Sequence, residues 1–372
     1  MPEAPGLVVV AQSARALASS ARRAGYRPLA IDVFGDEDLC AVSQATIRLE
    51  GGLSQGLRSD AVIDSVRSFV RLYDAIGVVY GSGFENQPEI VAALARETRV
   101  YGADAARLSR AKDPSAVAQA CTRSDVAHPQ IAFERPTRHE GWIVKSRGGA
   151  GGGHIRPATP TAAIAPGDYF QRRVPGRSIS ALFAGDGASA YIVGLSEQWP
   201  APSPRSAFRY GGAVGPVDIG VSRRCEIERA VACMTREFGL VGLASADFVV
   251  SDDVAWLIEL NPRPGATLDV FDCEDDPLLA LHMQACNGRM TAPVARSAPK
   301  AAGVVYASRD FVCRPLPDWP DWTADRPAAG TRITADDPIC TVCAAAPDVV
   351  SAKRLISERR QYISSMVEAW TA

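Results

Sequence analysis

The chain has 372 residues, 47% of them hydrophobic and 22% charged, with a formal net charge of −2 and a pI near 6.1. That length suggests two or three domains, and the balance is that of a soluble globular protein. Beyond local patches, it excludes a polycationic surface for nucleic acid, and no run of about 18 apolar residues suggests a membrane span.

The N-terminus lacks the basic region of a signal peptide and reads as strand then helix. Leu7–Val10 is an apolar run, Ala14–Ala24 a helix and Pro28–Val33 the next strand. Ala61–Ile76 has helical periodicity. Val78–Tyr80 is a short strand ending in Gly81-Ser82-Gly83-Phe84-Glu85, and Pro88–Arg96 starts another helix. Repeated βα units predict a parallel sheet. The loop after the first strand, Ala11-Gln12-Ser13, has no glycine, which argues against a dinucleotide site there.

Leu108–Cys121 reads as a connecting helical segment, and His128–Ile131 opens a new unit. Strands are expected at Trp142–Lys145, Tyr169–Val174, Ile179–Phe183 and Tyr191–Leu195. Residues 196–222 lack periodicity and read as a long loop or flap. Its Arg205 and Arg209 fit either an acidic substrate or a solvated loop. Glu226–Phe238 is a helix, a helical stretch follows Leu268 through Cys286, Ala302–Ala307 is a strand, and Ala352–Trp370 an amphipathic helix.

The nine cysteines are scattered and mostly in apolar surroundings, which suits reduced thiols and a cytoplasmic location. Cys340 and Cys343 form a C-x-x-C with no second pair, weak grounds for a zinc or redox site. His128, His139, His154 and His282 show no metal spacing.

The most informative stretch is Ala244–Thr267. Asp247–Val250 and Val254–Leu260 read as a hairpin about Ser251-Asp252-Asp253. With that three-residue loop, Val250 faces Val254 and Asp247 faces Leu257. Asp247, Leu257, Glu259 and Asn261 then share one face, with Phe248, Val250, Val254, Trp256 and Ile258 on the core face. Two carboxylates and an amide oxygen are hard ligands that suit Mg²⁺. The kinked Asn261-Pro262-Arg263-Pro264-Gly265 that follows suits an anion.

From Gly148 to Gly153 every residue except Ala150 is glycine. Such a run lets main-chain N–H groups cradle an anion. Its lysine, Lys145, precedes it on a strand, unlike the common phosphate-loop fingerprints.

Together these pieces resemble the ATP-grasp superfamily across most of residues 1–300, ending in Glu259-Leu260-Asn261-Pro262-Arg263-Pro264-Gly265. The resemblance implies an α/β fold, α+β in the grasp domains, and four parts. These are a pre-grasp parallel α/β domain at 1–106, a linker and small lid subdomain at 107–175, a larger antiparallel catalytic subdomain at 176–300, and a closing segment at 301–372. It implies ATP and Mg²⁺, with Mn²⁺ as the alternative ion. Lys112 and Lys145 resemble the phosphate-binding lysines, and Gly148, Gly149, Gly151 and Gly152 the lid over the phosphates. Gln171, Arg172 and Val174 fall at the adenine hinge and Ser178 at the ribose position, although the acids usual near Gln171 and Ser178 are missing. Asp247, Glu259 and Asn261 resemble the metal ligands. Arg263, with Lys145, resembles the catalytic cations.

The activity implied is a carboxylate–amine ligase acting through an acyl-phosphate. A bicarbonate-using carboxylase, a phosphotransferase and a non-catalytic nucleotide-binding module are the alternatives. The Tyr80–Glu85 segment is similar to a predicted carboligase group tied to tetrahydromethanopterin- and methanofuran-linked one-carbon metabolism. The partners implied are a small-molecule carboxylate and amine, and a homodimer is the assembly implied.

Overall fold

Five parallel strands open the chain, alternating with helices. They are β1 (Gly6–Val10), α1 (Arg15–Arg23), β2 (Arg27–Asp32), α2 (Glu37–Val42), β3 (Ala45–Arg48), α3 (Ser59–Tyr73), β4 (Val78–Tyr80), α4 (Pro88–Glu97) and β5 (Val100–Tyr101). The computed structural model describes residues 4–52, 56–295, 298–315 and 319–371. The strand order is β3-β2-β1-β4-β5. β1 is apolar and buried throughout because helices cover both faces of the sheet. The order reverses between β1 and β4, where loops at the carboxyl ends of strands form a crevice in such sheets. Glu85 lies in the loop after β4.

Two short helices follow, α5 (Ala105–Ala111) and α6 (Pro114–Arg123), where one segment was expected. The break has a local cause. Asp113 caps α6 by accepting from Ser115 and Ala116 N–H, and Pro114 fills the first turn. Lys112 is left at the end of α5.

A four-stranded antiparallel sheet comes next, with β6 (Ile131–Ala132), β7 (Trp142–Ser146), β8 (Ile155–Pro157) and β9 (Asp168–Arg172) in the order β6-β9-β7-β8. Its small core is Trp142, Val144, Ala158 and Phe170. β9 stops at Arg172, short of the expected Val174.

The remaining elements are β10 (Arg177–Asp186), β11 (Ala190–Pro200), β12 (Tyr210–Gly215), α7 (Val221–Phe238), β13 (Val241–Val250), β14 (Ala255–Asn261), α8 (Leu268–Phe271), α9 (Leu278–Cys286), β15 (Lys300–Tyr306), β16 (Phe311–Val312), β17 (Thr323–Ala324), β18 (Arg332–Ile333), β19 (Pro338–Ala345) and α10 (Val349–Thr371). Eight of the strands form one antiparallel sheet, β14-β13-β10-β11-β12-β15-β19-β17. Phe183, Phe248 and Leu257 pack with Met234 of α7 and Ile356 of α10 on one face. Leu182, Leu243 and Phe271 pack on the other, with Leu17 of α1 in the same cluster.

Within the expected flap at 196–222, residues 196–200 and 210–215 are strand and residues 201–209 are the loop between them. Glycines hid the alternation in β12. A Cβ on Gly212 would lie 2.4 Å from the Trp199 ring, so the position needs glycine where a strand pattern needs a branched residue.

The tail segment bonds to the first unit through buried charge. Arg15 donates to Asp269 (2.5 and 2.8 Å) and to Asp325 (3.0 and 3.1 Å). Asp325 and Arg326 N–H groups donate to Asp38. Asp36 beside them is 4% exposed, and its Oδ2 accepts no hydrogen bond among the described residues. Burial, then the charges of Asp325, Asp32 and Asp38, pushes its carboxyl up to about 8.

Candidate active site

The acid hairpin differs from expectation in two ways that cancel. Its connection has four residues, with Val250 paired to Ala255 and Ser251 N–H donating to Val254 O at 3.0 Å. The extra residue puts Leu257 opposite Phe248, in the core, rather than opposite Asp247 on the acid face. A bulge then moves the partner of Asp247 to Glu259, and it flips the strand back. Ile258 is the residue passed over. Trp256 and Ile258, expected in the core, are half-buried. Asp247 therefore pairs directly with Glu259, in place of the expected Leu257, and Ser245 pairs with Asn261.

Three cations surround these groups. Lys112 Nζ donates to Glu259 Oε1 and to Asn261 Oδ1, both at 2.7 Å. Lys145, 2% exposed on β7, donates to Glu259 Oε2 at 3.4 Å and Ile258 O at 3.3 Å. Arg263 Nη2 reaches Asn261 Oδ1 at 3.4 Å, and Asn261 Nδ2 donates to Asp247 Oδ2 at 2.9 Å. Ser180 of β10 donates to Asp247 Oδ1 at 2.6 Å.

The electrostatics follow from burial against these neighbours. Burial disfavours the charged form of Lys145, but the Glu259 carboxylate outweighs it and the ammonium pKa rises. Burial would also push Glu259 up. Lys112 and Lys145 overcome that and hold it well below the usual carboxylate range. Asp247 has no lysine on it, so burial and the Glu259 charge push it up.

The glycine loop roofs the Lys112, Lys145 and Glu259 end of this cluster and is seated at two places. A Cβ on Gly148, whose φ is +71°, would lie 2.6 Å from Glu85 O. A Cβ on Gly152, whose φ is +75°, would lie 1.9 Å from Phe208 O, and Tyr210 N–H donates to Gly151 O at 2.9 Å. Gly149 packs against the His154 ring, where a Cβ would lie 2.1 Å from Cγ. Beneath the roof, Lys112, His128, Lys145, His154, Tyr169 and Glu259 line a space of about 30 Å³. His154 Nδ1 is buried there with no hydrogen-bond partner among the described residues, and burial pushes the imidazole down to about 4.

Of the residues expected at the hinge, Gln171 and Arg172 lie on the neighbouring sheet. Gln171 is buried on β9 opposite Ile131 and Ile143. Arg172 turns outward, donating to Glu140 O at 2.9 Å with its guanidinium 5.8 Å from the Trp142 ring centre. Val174 is half-buried beyond the strand, and Ser178 is half-buried on β10 opposite Val249.

Arg209 donates to Asp336 Oδ1 at 3.1 Å and Ala201 O at 2.9 Å and stacks 3.7 Å from the Tyr306 ring centre, which assigns it to holding its own loop. Cys340 is buried in β19 and burial pushes its thiol well up. Among the described residues no three His, Cys, Asp or Glu side chains converge on a metal position, and no helix is long and apolar enough to cross a membrane.

Two site residues were not singled out from the sequence. Ser180 meets Asp247 only because β10 pairs with β13. Glu85 meets Arg263 Nε at 2.7 Å across the chain, and the single acid after Gly81–Phe84 was the one available signal.

Residues 111–267 match the family described as ATP-grasp domain. A stretch of 83 residues is 31% identical to the carbamoyl phosphate synthase large chain of Mycobacterium tuberculosis, covering 22% of this chain and only 7% of that relative's length. The fold is similar to the biotin carboxylase domain of Hydrogenobacter thermophilus 2-oxoglutarate carboxylase, solved with MgADP and bicarbonate. The TM-score is 0.71 at 13% identity, over 94% of this chain and 88% of that one. It is also similar to the L-amino acid ligase of Bacillus licheniformis, with a TM-score of 0.68 at 12% identity, over 96% and 97% of the two chains. The chain has the mixed α/β ATP-grasp fold, a parallel sheet followed by a larger antiparallel one.

Proposed function

We propose that the protein is an ATP-dependent ligase that activates a carboxylate as an acyl-phosphate and joins it to an amine. The observation that carries this reading is the gathering of Lys112, Lys145 and Arg263 around Glu259, Asp247 and Asn261 beneath one glycine roof.

The donor set fits Mg²⁺, with Mn²⁺ as the alternative. Asp247 and Glu259 are paired, half-buried carboxylates, and burial, then the Glu259 charge, raises the Asp247 pKa, as where two acids share a site short of counter-charge. Two carboxylates and the Asn261 amide oxygen leave the rest of a shell to water and phosphate, as Mg²⁺ prefers. When bound there, the ion would supply charge neutralisation to the phosphate oxygens.

The chain's own residues would do the rest. Lys112 and Lys145 would meet phosphate oxygens, and Gly148, Gly149, Gly151 and Gly152 would offer main-chain N–H groups. Arg172 and Val174 would serve the adenine through their main chain, with Gln171 beneath and Ser178 towards the ribose. The substrate carboxylate oxygen attacks the γ-phosphorus and ADP leaves. The amine nitrogen then attacks the acyl carbon, phosphate leaves, and the nitrogen gives up a proton. Arg263 would balance charge on the transferred group. The roof would keep water from the acyl-phosphate. No protein nucleophile is required.

The test is ADP release with MgATP across pairs of amino acids, with the amide identified by mass. Phosphate release with bicarbonate in place of the amine pair would favour a carboxylase instead, a reading supported by the 0.71 TM-score to a carboxylase domain. MgADP binding by calorimetry with no turnover in either assay would mark a nucleotide-binding module. The narrowest form of the proposal is an amino-acid or glutamyl ligation in one-carbon coenzyme assembly. It rests on the resemblance of the Tyr80–Glu85 segment and of the overall layout. A homodimer is the proposed assembly, checked by the mass in solution.

A further inference from the structure

We infer that Glu85 is a positioning residue that ties closure of the glycine roof to the orientation of Arg263. What Arg263 does with that orientation rests on the ligase reading, but the mechanical link does not.

Glu85 and Arg263 are 4% and 8% exposed. Glu85 Oε1 accepts from Arg263 Nε at 2.7 Å, and Oε2 accepts from Gly83 N–H at 2.7 Å. Burial opposes the charge on Glu85, yet Arg263 and then Lys112 hold its pKa down, so the pair is ionised. Nε is the firm tether. Among the described residues the terminal nitrogens make only long contacts, Nη1 to Pro264 O and Nη2 to Asn261 Oδ1, both at 3.4 Å. That leaves the outer edge of the guanidinium available to an anion beside Asn261.

The main chain of the same residue seats the roof. A Cβ on Gly148 would fall 2.6 Å from Glu85 O and 2.7 Å from Asn86 Cα, so the loop at 148 rests on residues 85–86. One short loop therefore bears Arg263 on its side chain and the roof on its backbone. When the roof lifts, the 83–86 loop loses its cover. When the ion pair is broken, the loop loses its anchor. Each event shifts the other's equilibrium, and the coupling is reciprocal.

The experiment is hydrogen–deuterium exchange of residues 147–155 in the nucleotide-free full chain, with MgADP affinity by calorimetry. The variants are Glu85→Gln, Arg263→Lys, Gly148→Ala and the double variant Glu85→Gln with Gly148→Ala. Faster roof exchange is expected in Glu85→Gln and also in Arg263→Lys, although Arg263 lies on the loop after β14 and not in the roof. The effects of Glu85→Gln and Gly148→Ala on MgADP affinity should miss additivity by about fivefold or more. Wild-type roof exchange in Arg263→Lys, or additive effects in the double variant, would overturn the inference. Exchange in β1 and β4 reports whether each variant folds. If Glu85→Gln does not, Arg263→Lys carries the decision. A wild-type chain that fails to bind MgADP would sink the ligase reading and leave the roof exchange to decide the coupling.

Discussion

Asp247 and Glu259 face each other across β13 and β14, yet their surroundings drive the two carboxyls in opposite directions. Burial acts on both. Glu259 has Lys112 and Lys145 on its two oxygens, whereas Asp247 is served by the neutral donors Ser180 and Asn261. Paired acids pushed apart in this way make the hairpin the candidate functional site.

Glu259→Gln is expected to cut ADP release by about 100-fold or more. The amide removes a charge that both lysines share. It also leaves two buried ammoniums facing a neutral group, a loss of about 3–5 kcal/mol where a buried pair is broken. Near-UV circular dichroism should still report a folded chain. Turnover close to wild type in this variant would end the assignment.

Gly152→Ala and Gly153→Ala should separate cleanly. Gly152 has φ +75° with Phe208 O in the way, while a Cβ on Gly153 meets nothing within 4 Å. The first should weaken MgADP binding by about tenfold or more, as the roof loses a seat worth on the order of 1–3 kcal/mol. The second should bind as wild type. Calorimetry on the two variants side by side decides it, and equal affinities would contradict the seating described above.

Asp36 predicts how stability depends on pH at the junction with the tail. Its folded pKa is raised to about 8, so between about pH 4 and 8 the folded chain holds a proton the unfolded chain has lost. The stabilisation is complete below the unfolded pKa and falls away as pH rises through that window, by up to about 1.4 kcal/mol per pH unit. Asp32, raised to about 6, acts in the same sense over a shorter range. Asp36→Asn should therefore gain Tm over the wild type as pH climbs from 5 to 8. Parallel melting profiles across that range would refute it.

The sequence carried the βα alternation, the glycine roof and the three hairpin oxygens, because each is written in local periodicity or composition. It did not carry the bulge at Ile258. Period-two alternation assumes an unbroken ladder, and here a longer turn and a bulge offset each other, so the right face emerged from the wrong register. Gly211 and Gly212 disguised β12 as loop because their places are decided by Trp199, which packs against both. The Glu85–Arg263 and Arg15–Asp325 pairs join residues far apart in sequence, and neither has a local signature. Arg209 drew notice as an exposed-looking cation, but its partners, Asp336 and Tyr306, lie in the tail.

The room under the roof, about 30 Å³, suits water and not a nucleotide. On the ligase reading, a nucleotide's phosphates need more room than this, so the seats at Glu85 and at Phe208 would have to release first. Arrival would then be governed by how often the door swings rather than by how often a visitor knocks. In stopped-flow mixing, the observed rate should climb with MgADP and then level off at the opening rate.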